Sequence, residues 1–439
     1  MLARKLSPLL ILLLVVGCTT ATPHPGTMEE VWSGEASAGQ ERTRVLIRVS
    51  ENAGHPSAEM TLADIGVSGW PASAVRRTGR QLTLEFPSDS GTQTMIFVPR
   101  GPSLEGRWTE PGRPDAARVS LERVRDAGSP REERLAIAGP AGVIGASMIL
   151  PTGEGPFPGV VMLHGSGALP RDANRFAAEA LARRGVAVII FDKRGVSESQ
   201  GELAGASFED LAADAIAVAK VLDARDDITG VGFFGHSQGG WIAPLAAVRW
   251  GGAAFVITSA GPAVPPSREN QWDVVRSLRA VGAGAEAERK ARAVIDLWHA
   301  GVRTSDWGPF DLALADLRFQ PWFESSGIEA FAERRDPAFT RAYRAFMDYD
   351  PLPVLRALQV PMLSILAPED ESIDAVETER ILADLIAEGR DIRIRLYPGY
   401  DHTMRRLGPG GVPLRWPAQP HDYHDGQADF IHQAVGRSE

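Results

Sequence analysis

From about residue 141 onward the chain alternates short apolar runs with longer stretches whose apolar residues recur at helical spacing. Val186-Ala187-Val188-Ile189-Ile190-Phe191 contains no polar residue, which predicts a strand covered on both faces. Residues 141–150 and 159–163 predict strands before it, and residues 228–234, 254–260, 360–366 and 391–397 predict strands after it. Between them, residues 173–184 form a small-residue helical stretch. Residues 208–224 repeat apolar positions at helical spacing, with Ser207 set to cap them. Strand and helix in alternation predict an α/β fold with a doubly wound, mostly parallel sheet.

Two regions break this rhythm. Residues 262–350 open with Pro262, Pro265 and Pro266, then carry helical segments at 268–281 and 286–300 and four of the ten tryptophans: Trp272, Trp298, Trp307 and Trp322. This predicts a helical insertion between two core strands, with each tryptophan more plausibly packing the insertion on the body than lining a pocket. Ahead of the alternation, residues 28–126 hold strand-like runs at 42–49, 81–86, 94–98 and 118–124, punctuated by Gly, Pro, Ser and Asp without a long helix. A small antiparallel β domain, barrel or sandwich, is expected there.

The chemistry concentrates in Gly235-His236-Ser237-Gln238-Gly239. An apolar strand precedes it and a small-residue helix follows, the setting in which G-x-S-x-G forms a nucleophile elbow around its serine. Serine needs a base, and the base needs an acid to orient it. In this architecture the order along the chain is serine, acid, histidine. His402 stands where Pro398-Gly399-Tyr400-Asp401 ends the strand at 391–397, so it is the expected base. Asp370, in the loop after the strand at 360–366, is the expected acid, with Glu369, Glu371 and Asp374 as neighbours that spacing leaves open. The oxyanion hole needs two backbone N–H groups. Gln238 supplies one by position. The second is assigned to Ser166 in His164-Gly165-Ser166-Gly167, with Gly167 as the alternative and His164 as a packed histidine holding the turn. Asp192 and Arg194, at the end of the strand at 186–191, are expected to form an ion pair that fixes their loop.

As a set, His164-Gly165-Ser166-Gly167, Phe191-Asp192-Lys193-Arg194-Gly195 and Gly235-His236-Ser237-Gln238-Gly239-Gly240 resemble the α/β-hydrolase superfamily. The likeness is to its serine-hydrolase branch, near the dienelactone-hydrolase-like and prolyl-oligopeptidase-like families. Ala367-Pro368-Glu369-Asp370-Glu371-Ser372-Ile373 is similar to that family's G-E-x-D-x-x-V acid motif, with Ala367 and Pro368 departing from it. Tyr397-Pro398-Gly399-Tyr400-Asp401-His402 matches the Y-P-G-x-x-H ending. The resemblance covers about residues 131–436 and implies a hydrolase domain over 131–439 whose insertion at 262–350 is a cap above the nucleophile. Trp32-Ser33-Gly34 and Leu104-Glu105-Gly106-Arg107-Trp108 look like the β-turn signals of domains found ahead of similar hydrolases, which implies a spacer or substrate-guiding role for 28–126.

The first residues carry a different message. Met1-Leu2-Ala3-Arg4-Lys5 is basic, and residues 6–16 are apolar but too few to span a bilayer. Val15-Val16-Gly17-Cys18 resembles a bacterial lipobox, which implies a signal peptide over 1–17, lipidation of Cys18 and a tether over 18–27. The expected location is the bacterial cell envelope on the periplasmic side, membrane-attached through lipid. Thr19 after the cysteine favours the outer membrane over the inner by the same resemblance.

Composition narrows the function further. A formal charge of −10 and a pI near 5.5 argue against nucleic acid as a partner. Cys18 is the single cysteine of 439 residues, which leaves no disulfide and no thiolate metal cluster. Neither a P-loop nor a strand-borne G-x-G-x-x-G is present, so no cofactor is expected. His421-Asp422-Tyr423-His424-Asp425 lacks a third ligand cluster and reads as the solvated start of the last helix, so no metal is expected. The sequence therefore predicts a serine hydrolase that cleaves a small carboxylic ester through an acyl-enzyme. A serine peptidase or a catalytically inactive envelope binding module are the alternatives, and the oligomeric state is left open.

Overall fold

A computed structural model describes residues 28–52, 54–124, 130–409 and 414–436. The expectations for the leader and for Cys18 lie outside these residues. Among the described residues no helix is long and apolar enough to cross a membrane.

The first unit is one nine-stranded antiparallel sheet. Its strands are β1 (Met28–Ala38), β2 (Glu41–Asn52), β3 (His55–Leu62), β4 (Val67–Pro71), β5 (Ala74–Thr78), β6 (Gln81–Ser88), β7 (Gly91–Arg100), β8 (Ser103–Thr109) and β9 (Ala117–Val124). They run in the order β4-β3-β2-β1-β9-β8-β7-β6-β5. Alternation sends Leu82, Leu84 and Phe86 of β6 and Ala117, Val119 and Leu121 of β9 inward while their neighbours face water. The link from β4 to β5 joins the two ends of the sheet, with Ala72 N–H donating to Ala58 O and Ser73 N–H to Glu85 O. The sheet thus curls around its own core.

Two segments read as turn signals lie instead within strands: Trp32-Ser33-Gly34 in β1 and Leu104 to Trp108 in β8. Their glycines mark close strand approach. A Cβ at Gly34 would sit 2.0 Å from Ser120 O, and one at Gly106 would sit 2.4 Å from Ile96 O.

The second unit is a three-layer α/β body. Its strands are β10 (Arg131–Gly139), β11 (Gly142–Leu150), β12 (Phe157–Leu163), β13 (Ala187–Phe191), β14 (Ile228–His236), β15 (Val256–Ser259), β16 (Met362–Leu366) and β17 (Ile392–Leu396). They order as β10-β11-β13-β12-β14-β15-β16-β17, parallel from β13 onward and antiparallel at the β10 and β11 edge. The α/β class with a mostly parallel doubly wound sheet is as the sequence predicted. The edge strand β10 carries a polar pattern, with only Ile137 fully buried, and was not among the predicted strands. Helices α1 (Arg175–Ala182), α2 (Phe208–Asp223) and α3 (Gly239–Trp250) connect the central strands. Ser207 caps α2 in a capping box with Asp210, accepting from its N–H while the Asp210 carboxylate takes the Ser207 N–H.

Between β15 and β16 stand α4 (Pro266–Ala280), α5 (Ala285–Thr304), α6 (Gly308–Leu317), α7 (Glu329–Glu333), α8 (Pro337–Arg344) and α9 (Leu352–Ala357). This helical cap has its own core, built on the fully buried Trp298 with Phe310, Phe331 and Tyr343 around it. Its last turns dock on the body where Phe346 stacks on Phe208 with ring centroids 4.9 Å apart. After β16 the chain closes the body with α10 (Ala375–Ala387) and α11 (Tyr423–Val435). The start of α11 is not solvated as expected. Tyr423 and His424 are buried, with His424 edge-on to Phe176, because this end of α11 covers the sheet.

Candidate active site

β14 ends at His236, and Ser237 turns the chain into α3 with a left-handed φ of 52°. That conformation is costly for a residue with a side chain and marks a site the surroundings over-determine. Ser237 N–H donates to Ser259 O at 3.0 Å, and Gly240 N–H donates to Ser237 O at 2.7 Å. The flanking glycines are obligatory. A Cβ on Gly235 would stand 2.0 Å from Gly239 O, and one on Gly240 would stand 2.3 Å from the Gly261 Cα.

His402 follows β17, in the loop that leads back toward this turn. Its ring lies beside that of His236, the residue before Ser237, with centroids 5.1 Å apart. Asp370, buried after β16, faces the other side of the imidazole, its carboxylate oxygens 2.9 and 3.0 Å from His402 Nδ1. Asp370 Oδ1 also accepts from Ser372 N–H at 2.7 Å and Ile373 N–H at 3.0 Å, which fixes the carboxylate. The three neighbouring acids are engaged elsewhere. Glu369 accepts from Gly399 N–H, Glu371 from the His402 backbone N–H, and Asp374 from Glu377 N–H at the start of α10. Of the four carboxylates, Asp370 is the one that meets the ring. With Nδ1–H donated to it, Nε2 is left as the acceptor nitrogen of the ring.

Ser166 and Gly167 sit in the exposed loop after β12, and Gly165 brings this loop against the elbow: a Cβ there would be 3.4 Å from Ser237 Cβ. Gln238 opens α3 on the other side of the serine. His164 is buried edge-on to Phe191, and burial holds its imidazole down to about 4. It is neutral at physiological pH and packs the turn.

Asp192 and Arg194 do not pair with each other. Asp192 accepts from Arg171 (2.6 Å) and Arg194 donates to Asp214 (2.7 Å), two separate buried ion pairs on either side of the loop. Residues two apart share a face in a strand, but the strand ends at Phe191 and the chain turns at Arg194 and Gly195, so the two side chains reach different partners. Lys193 between them is the residue that sequence reading passed over. It is 4% exposed, and its Nζ donates to Gly165 O at 2.5 Å, Gly167 O at 3.0 Å and Gln238 Oε1 at 2.9 Å. A lone lysine after a strand gives no signal in a sequence that it will be buried.

The cap contributes Glu269, 9% exposed, whose Oε2 accepts from Asp374 N–H at 3.0 Å beside the acid loop. Burial, reinforced by Asp374 and Asp370, pushes its carboxyl up to about 8. Trp272 lines a groove of about 350 Å³ between the cap and the acid loop with Arg268, Arg292 and Asp374, whereas Trp298 belongs to the cap's interior.

An elbow serine and a histidine held by a buried aspartate on a mostly parallel sheet are the arrangement of an α/β hydrolase, and the comparisons support a serine hydrolase of that superfamily. Within it, residues 156–299 match the family model described as serine aminopeptidase, S33. The chain is 24% identical over 263 residues to esterase EstD of Thermotoga maritima, an alignment covering 58% of this chain and 56% of that protein. It is 25% identical over 231 residues to a non-heme haloperoxidase of Rhodococcus erythropolis, covering 51% of this chain and 78% of the relative. Among solved structures, a proline iminopeptidase of Mycobacterium smegmatis aligns over 70% of this chain and all (100%) of its own, at 19% identity and a TM-score of 0.45.

Proposed function

We propose that this protein hydrolyses carboxylic esters through Ser237, His402 and Asp370. His402 Nε2 takes the proton from the Ser237 hydroxyl as its oxygen attacks the ester carbonyl, and Asp370 holds the imidazole in the tautomer that can do so. The N–H groups of Ser166 and Gln238 bind the oxyanion. The alkoxide leaves with the proton from His402, and water attacks the acyl-Ser237 by the same route in reverse. The single observation that carries the reading is the buried Asp370 at 2.9 Å from the Nδ1 of His402, whose ring lies 5.1 Å from that of His236, the residue before Ser237. The esterase relative supports the substrate class.

The test compares the protein with its Ser237→Ala variant on p-nitrophenyl esters of increasing chain length, with fluorophosphonate labelling in parallel. Turnover and label lost together in Ser237→Ala support the esterase. The serine-aminopeptidase family model favours a second reading, a peptidase acting at a free amino terminus. Cleavage of an aminoacyl-anilide faster than any ester establishes that instead.

The lipobox-like Val15-Val16-Gly17-Cys18 supports a further part of the proposal, attachment to the envelope membrane through lipid on Cys18. Incorporation of an alkyne fatty acid by the wild type and its absence from Cys18→Ser is the expected result. Equal incorporation by both contradicts it.

A further inference from the structure

Lys193 is a buried cation surrounded by neutral acceptors. Asp192, beside it in the chain, and Asp214, which lines the same small cavity, are each already matched to an arginine, Arg171 and Arg194. The lysine therefore spends its three protons on Gly165 O, Gly167 O and Gln238 Oε1. Desolvation lowers its ammonium to about 8, the cost of burying a charge without a counter-ion. An apolar side chain would fill the same space without that cost.

The three acceptors have one thing in common. Gly165 and Gly167 belong to the loop carrying the Ser166 N–H, and Gln238 is the residue whose own N–H faces the same oxyanion. In a trans peptide the C=O and N–H point in opposite directions. The C=O of Gly165 and the N–H of Ser166 belong to one peptide unit. Fixing the first toward Lys193 aims the second away from it, toward the serine side of the loop. A cation on that carbonyl also polarises the unit and strengthens its N–H as a donor. The bond to Gln238 Oε1 ties the N-cap residue of the nucleophile helix to the same ammonium, so both arms share one anchor.

We propose that Lys193 is a positioning residue for the oxyanion hole, clasping the Gly165–Gly167 loop to Gln238 so that the Ser166 and Gln238 N–H groups converge on the developing negative charge. The proposal rests on the serine-hydrolase reading above. It involves no covalent step and no contact between Lys193 and the substrate.

The experiment measures kcat and KM on p-nitrophenyl acetate for the whole protein, its Lys193→Met, Gln238→Met and Ser237→Ala variants, with thermal unfolding of each. Because the clasp serves the transition state, Lys193→Met is expected to lower kcat by roughly 10- to 100-fold with KM within about threefold of wild type. Gln238→Met, which removes one arm and keeps the backbone N–H, is expected to lower kcat by about fivefold or more. A folded Lys193→Met enzyme with kcat within about twofold of wild type, or one changed only in KM or melting temperature, overturns the clasp. If Lys193→Met fails to fold, an unchanged kcat in Gln238→Met overturns it. Wild-type protein without Ser237-dependent turnover removes the hydrolase reading and the clasp together, whereas Ser237-dependent turnover that ignores Lys193 removes the clasp alone.

Discussion

Trp416, from a loop of the catalytic body, stacks on Trp108 inside the N-terminal sheet, with ring centroids 5.5 Å apart and 24° between planes. Trp416 is 4% exposed and belongs to the core of a unit more than 280 residues earlier in the chain. Beside it, Arg415 N–H donates to Glu41 at 2.6 Å, and the Arg415 guanidinium pairs with Glu110 and with Asp115 at 2.9 Å. The body thus completes the core of the sheet. Trp416→Ala is expected to destabilise the N-terminal sheet by about 3–5 kcal/mol through the cavity it leaves. Denaturant unfolding followed by tryptophan fluorescence checks this: the sheet should melt ahead of the body in the variant and with it in the wild type. Coincident melting at the wild-type midpoint contradicts the coupling.

Asp370 and His402 carry the next expectation. Replacing the carboxylate by an amide leaves the geometry but offers an N–H or a neutral oxygen to Nδ1, which favours the wrong tautomer. Asp370→Asn should lower kcat by about 10⁴-fold with the fold intact. Glu369→Gln and Glu371→Gln, which disturb only the acceptors of backbone N–H groups, should lose far less, within about tenfold. Circular dichroism and ester turnover on the three variants decide it, and an Asp370→Asn enzyme no weaker than the other two would return the acid to its neighbours.

The elbow makes a sharper demand on a glycine than on the serine it serves. A methyl at Gly240 meets the backbone of Gly261 at 2.3 Å, and backbone atoms cannot step aside as a side-chain tip can. Gly240→Ala should therefore cost about 2–4 kcal/mol and abolish fluorophosphonate labelling as α3 is pushed from β15. Wild-type labelling in this variant would mean that the elbow tolerates the shift.

The sheet and the cap were legible because their signals are local. Five consecutive apolar residues in β13, the Ser207 cap, and the prolines that open the insertion each act within a few residues. The strands of the N-terminal sheet were half seen. β3, β4 and β5 carry mixed polar faces, and β1 and β8 hold glycines that read as turns but serve a close approach across the sheet. In the site, type and order marked Ser237, Asp370 and His402 as candidates before any geometry. Lys193, Glu269 and Trp416 were not visible, because what makes each distinctive is burial by segments far away in the chain. No period or spacing encodes that.

Four histidines set the response to acid. Burial holds His164, His236, His299 and His424 each down to about 4, against 6.5 when exposed. Below pH 6.5 the unfolded chain takes up protons that the folded chain refuses, so this stability is present above pH 6.5 and is lost as pH falls toward about 4. Each such proton contributes a slope of about 1.4 kcal/mol per pH unit. Between pH 6.5 and 5 Glu269, protonated when folded and charged when unfolded, opposes them with one proton against four, so the histidines still set the sign of the slope. Urea midpoints should fall steeply from pH 6.5 to 5, and a flat profile there contradicts burial of these rings in the neutral form.

Glu269 predicts the opposite slope at the other end of the range. Its folded carboxyl titrates at about 8, raised by burial and then by Asp374 and Asp370, whereas the unfolded one titrates near 4.5. Between those values unfolding releases a proton. Its contribution to stability is therefore full below pH 4.5, falls as pH rises, and is gone above about pH 8, a swing of at most about 5 kcal/mol. Glu269→Gln keeps an oxygen to accept the Asp374 N–H and has no proton to lose. The variant should melt several degrees above the wild type at pH 8.5, with the difference closing toward pH 4.5. Because Glu269 bonds α4 to the acid loop at the Asp374 N–H, the wild type should also lose cap protection in hydrogen exchange at high pH before the body opens. Equal melting temperatures across the range would mean that Glu269 meets water in the folded protein and that the seam between cap and acid loop is wetter than its burial indicates.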